Sequence, residues 1–92
     1  MSSSEDKKDK KDKKKDRRSP EDRELSRKLG GRIRALRNKR GWTQTEFGVY
    51  CDGLSRVHVS DLELGKREIG FYLLRKVARA FETTMSRLLS GL

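Results

Sequence analysis

The sequence predicts an all-α domain of five helices. Three observations carry this expectation. Apolar residues recur at helical spacing in successive segments, no segment shows the alternation of a strand, and two consecutive short segments open with cap-and-staple signatures. Residues 19–92 form the domain. Residues 1–18 read as a disordered Lys/Asp-rich tail, because their only apolar residue is Met1 and they cannot bury enough surface to offset their ordering entropy.

The first helix starts at Ser19, a capping residue, followed by Pro20 and the acidic pair Glu21 and Asp22 at the positive end of the helix dipole. Leu25, Leu29, Ile33 and Leu36 then recur at spacings of four, four and three, and Arg40-Gly41 closes the helix. Gly30-Gly31 weakens its middle by about 1 kcal/mol per glycine, so the part before Gly30 is expected to be separate or frayed. The second helix opens with Thr43 and Glu46 as a capping box, with Trp42 and Phe47 as the staple; Trp42 reads as a core anchor. It runs to about Cys51, and Asp52-Gly53 makes a turn. Ser55 caps the third helix, stapled by Leu54 and Val59, and Gly65 ends it. On a helical wheel Val59, Leu62 and Glu63 share the inner face, while Val57, Ser60, Asp61 and Leu64 share the outer one, with Arg56 at its flank. Residues 71–81 give a fourth helix with Phe71, Leu74, Val77, Ala78 and Phe81 on its buried stripe. Met85, Leu88 and Leu89 give a short fifth helix.

Composition narrows the function. The chain has 92 residues, 32% hydrophobic and 41% charged, which excludes a large buried core. The formal net charge of +10 favours a polyanionic partner, DNA, RNA or an anionic membrane surface. The tail contributes seven Lys, two Arg, four Asp and one Glu, so the domain is basic without it. Two readings of the tail stand open: a solvated arm, or one that tracks phosphates, the latter weakened by the interspersed Asp9, Asp12 and Asp16. No apolar run exceeds Phe71 to Leu74, so neither a membrane span nor a signal-peptide core is expected. The single Cys51 suits a reducing cytosol, and it reads as buried and inert. One Cys and one His make no metal ligand set. No nucleophile–base pair or phosphate-cradling glycine loop stands out, so neither an enzyme activity nor a cofactor is expected.

The stretches GRIRALRNKRGWTQTEFG, VSDLELGKR and LLRKVARAFETTMSRLL, taken in order, resemble the phage repressor and Cro-type (XRE) family of helix-turn-helix domains. The resemblance covers residues from about 30 to 90. It implies a five-helix repressor-like domain whose third helix lies in the major groove of double-stranded DNA. It places Arg56, Val57 and Asp61 at base-reading positions, with Ser60 beside them. It makes Thr43, Gln44, Lys66 and Arg67 phosphate contacts, with Gln44 also bracing the recognition helix. It makes Arg37 and Glu63 a buried ion pair tying the first helix to the third. His58 on the flank is either a phosphate contact or a half-exposed packing residue.

The sequence departs from the family pattern in three places. Asp52 and Gly53 stand where one glycine is usual, Gly48 replaces a small alanine, and Ile69 stands where a proline often begins the fourth helix. The resemblance further implies a cytoplasmic, nucleoid-associated regulator, bacterial or phage-encoded. It is expected to be a repressor binding a palindromic operator as a homodimer, through Tyr72, Leu73 and Leu92. Competing readings are an antitoxin or restriction-modification controller, whose tail folds onto a protein partner, and a protein-interaction or non-specific nucleic-acid-binding module.

Overall fold

The computed structural model describes residues 16–92; the expectation of disorder for residues 1–15 falls outside the described residues. Among the described residues five helices follow one another: α1 (Pro20–Lys39), α2 (Gln44–Tyr50), α3 (Arg56–Glu63), α4 (Phe71–Ala80) and α5 (Met85–Leu89). Four start on a side-chain cap. Ser19 Oγ accepts from the Asp22 amide at 3.0 Å, Thr43 Oγ1 from Glu46 at 3.0 Å, Ser55 Oγ from His58 at 3.1 Å and Thr84 Oγ1 from Arg87 at 3.0 Å. The reciprocal half of the capping box is present too, since Glu46 Oε1 accepts from the Thr43 amide at 2.8 Å. Only α4 starts without one, on Gly70. The turn ending α1 satisfies two orphan carbonyls: the Trp42 amide donates to Arg37 O and the Gly41 amide to Asn38 O.

The core is made where all five helices meet. Leu29 and Ile33 of α1 pack with Phe47, Cys51, Val59, Val77, Ala78, Phe81 and Leu88. Trp42 is half-buried at the edge of this cluster, its ring 5.7 Å from that of Phe81 and 6.1 Å from that of Phe47. It is a core anchor, with Arg40 lying over its outer side. Cys51 is buried, and desolvation pushes its thiol up to about 11.

Four expectations are corrected. First, α1 is one continuous helix. Gly30 marks the place where α3 crosses it, since a Cβ there would stand 2.3 Å from the Leu62 carbonyl oxygen and 2.6 Å from that of Glu63. Gly31, on the far side, has nothing within 4 Å. Second, Leu25 is 49% exposed, in the wall of an open groove that it shares with Leu74, Leu89 and Leu92. Third, Phe71 is not on the buried stripe of α4. As the first residue of that helix it projects past the core and is 63% exposed, while Leu73 packs inward in its place. Fourth, Asp16, Arg17 and Arg18 of the expected tail have defined positions. Arg18 holds Asp16 with two side-chain bonds of 2.9 and 2.6 Å and donates to the Gly65 carbonyl at 3.2 Å.

Candidate nucleic-acid interface

Helix α3 divides into two faces. Val59, Leu62 and Glu63 are buried against α1 and α2, as the wheel places them. Arg56 is exposed, Val57 is 62% exposed, and Ser60 and Asp61 are half-buried on the outward side. Eight residues with so polar an outer surface hold their place only through what lies beneath them.

Beneath them is a buried ion pair. Arg37 Nε donates to Glu63 Oε2 at 2.5 Å, and a second guanidinium nitrogen donates to Oε1 at 3.1 Å. The third nitrogen donates to the Trp42 carbonyl at 2.8 Å. The amide of Gln44, at the first position of α2, donates to Glu63 Oε1 at 3.2 Å. One carboxylate thus ties α1, the entry of α2 and the end of α3 together. Arg37 is 9% exposed and Glu63 6%, so both charges are desolvated, and the bidentate fork with its two neighbours meets the condition under which such a pair persists. Gln44 thus reaches from the start of α2 to the end of α3, and its second amide hydrogen has no acceptor among the described residues.

The turn between α2 and α3 shows how its extra residue is accommodated. Asp52 and Gly53 both adopt left-handed backbone, at φ 63° and 85°. The amides of Gly53 and Leu54 then both donate to the Gly48 carbonyl, at 3.0 and 2.8 Å. This folds the turn so closely over α2 that a Cβ on Gly48 would stand 2.0 Å from the Leu54 carbonyl oxygen. The longer turn and the glycine at position 48 are one arrangement.

The other predicted contacts are placed unevenly. Thr43 is exposed, with its hydroxyl engaged as the α2 cap. Lys66 is exposed just beyond α3. Arg67 turns back over α3: one nitrogen lies 2.9 Å from His58 Nε2, and its Nε is 3.8 Å from Asp61 Oδ2. A guanidinium only donates, so Nε2 is the accepting nitrogen of the imidazole. His58 is half-buried. The sequence reading missed this Arg67–His58–Asp61 cluster; residues at 58, 61 and 67 meet only because the chain reverses at Gly65.

Residues 33–88 match the family described as Helix-turn-helix, and this is more than half of the chain. The chain belongs to the helix-turn-helix family. It is a DNA-binding transcription regulator of the Cro/C1 (XRE) type, in which α2 and α3 are the two helices of the motif. No curated protein matches the chain. In this helix-turn-helix protein the match begins inside α1, so the first thirteen residues of that helix precede the shared domain.

Proposed function

We propose that this protein is a repressor that binds a short two-fold DNA site as a dimer, with α3 in the major groove. One observation carries the reading: the inner face of α3 is locked by the Arg37–Glu63–Gln44 network, while Arg56, Val57, Ser60 and Asp61 stand on its outer face. Each has a fitting base partner. Arg56 suits guanine O6 and N7, Val57 a thymine methyl, and Asp61 a cytosine amino group, with Ser60 adaptable between them. Thr43, Gln44 and Lys66 supply backbone contacts at either end of the motif. Arg67 and His58 join them once Arg67 leaves Asp61.

Selection from a random DNA pool tests this. The selected site is expected to bind on the order of 10³-fold tighter than random duplex and to show two related half-sites. Arg56→Ala should cost about 1–3 kcal/mol on the selected site and relax the preference at one base pair of each half. An Arg56→Ala variant that weakened all duplexes equally would leave base reading by α3 without support.

A further inference from the structure

The residues ahead of the family match lie against the end of the recognition helix. Gly65, the residue that closes α3, is left-handed at φ 72°, and a Cβ there would stand 2.7 Å from Arg27 Cα. Arg18 donates to the Gly65 carbonyl, and Arg23 in turn donates to the Arg18 carbonyl at 2.7 Å. The root of the N-terminal segment is stapled beside Lys66. A cleft of about 510 Å³ opens there, with Arg17 and Lys66 both in its wall. Asp16 is held by Arg18, and Arg67 leans on Asp61. Neither Arg17 nor Lys66 has an ion-pair partner among the described residues, and both are exposed. Asp22 and Glu68 also line the cleft, so it does not suit a small free anion. It suits a polyanion already held by α3, whose backbone brings a phosphate to the two cations.

We propose that Arg17 and Lys66 form a second clamp for the DNA phosphodiester backbone at the edge of the site, with Arg18 as the positioning residue that fastens Arg17 to the end of α3. The proposal rests on the DNA-binding reading of α3. Contacts of this kind raise affinity and salt sensitivity without reading sequence. The order of the chain fits that role, because the same short stretch closes the recognition helix and carries the cation.

The test uses the full chain and fluorescence anisotropy on a random duplex over a range of salt concentrations. Arg17→Gln and Lys66→Gln should each lower the slope of log K against log salt by about one. Arg18→Gln should lower it by the same amount, and adding Arg17→Gln to it should change nothing more. Arg18 Nη1 is buried with no hydrogen-bond partner among the described residues, so removing the guanidinium also removes an unmet donor, and the variant should fold. Arg17 is exposed and its variant folds regardless. An unchanged slope in Arg17→Gln overturns the clamp. Equal and additive losses from Arg17→Gln and Arg18→Gln overturn the anchoring. A wild-type protein that bound selected and random duplexes alike would count against base reading instead, since these slopes are measured on random DNA.

Discussion

Glu63 is the buried charge of α3. Its two oxygens accept from Arg37 and Gln44, and both it and Arg37 are almost wholly buried. Glu63→Ala leaves the guanidinium desolvated and the Gln44 amide short of an acceptor. The expected loss is about 3–5 kcal/mol, a large share of the 5–15 kcal/mol typical of a folded domain. Urea unfolding followed by the fluorescence of Trp42, the only tryptophan, measures it; a loss below about 1 kcal/mol would indicate a solvated pair. Replacing Arg37 and Glu63 together by apolar residues should recover much of the loss, because the charge left unpaired is the costly state. Cys51 gives a second test at this scale. Burial raises its thiol to about 11 in the folded chain, above the ordinary value of 9.0. The unfolded chain therefore ionises first, so this residue's share of stability is complete below about pH 9 and is lost as pH rises toward 11. At neutral pH the folded thiol should resist alkylation, and the labelling rate in urea should follow global unfolding.

At the scale of elements, the two adjacent glycines of α1 should respond oppositely to the same substitution. Gly31→Ala places a methyl in open space and should stabilise the chain by roughly 0.5–1 kcal/mol, the helix preference of alanine over glycine. Gly30→Ala gains the same preference but drives a methyl into two carbonyls of α3. Overpacking of that kind costs about 1–3 kcal/mol, so the net change should be destabilising. Thermal melts of the two variants decide it, and a stabilised Gly30→Ala would contradict the crossing described for α1 and α3. Gly48→Ala should be destabilising for the same reason, against the Leu54 carbonyl. These positions also show what was legible beforehand. Caps, staples and the inner face of α3 are local patterns, and Ser19, Thr43, Ser55, Val59, Leu62 and Glu63 take the places their neighbours in sequence predict. Gly30 reads as a weak point because the helix that needs its missing side chain lies thirty residues downstream. Phe71 and Leu25 have core spacing, but spacing cannot say where the neighbouring helices stop. The cluster of Arg67 with His58 and Asp61 has no periodic signature at all.

For the whole molecule, the open quantity is how two copies would meet on a two-fold site. Of the residues expected at a dimer interface, Leu73 and Leu92 pack against the core, and Tyr72 stands out at 70% exposed. Phe71 is exposed beside it, the two rings edge-to-face at 5.5 Å. Magnitudes limit what this pair can do. An aromatic side chain buries about 150–250 Å², so two from each copy remove roughly 600–1,000 Å² in total. A stable interface takes about 1,200–2,000 Å². A dimer built on Phe71 and Tyr72 should therefore be weak in free solution and form on DNA, where adjacent half-sites raise the effective concentration of the second copy. Sedimentation should show a monomer at micromolar concentration, while the selected two-fold site should fill cooperatively. Phe71→Ser with Tyr72→Ser should abolish that cooperativity and leave affinity for an isolated half-site unchanged, because neither residue lies on α3. Retained cooperativity in the double variant would move the interface elsewhere. A wild-type dimer stable without DNA would require more buried surface than these two aromatics provide.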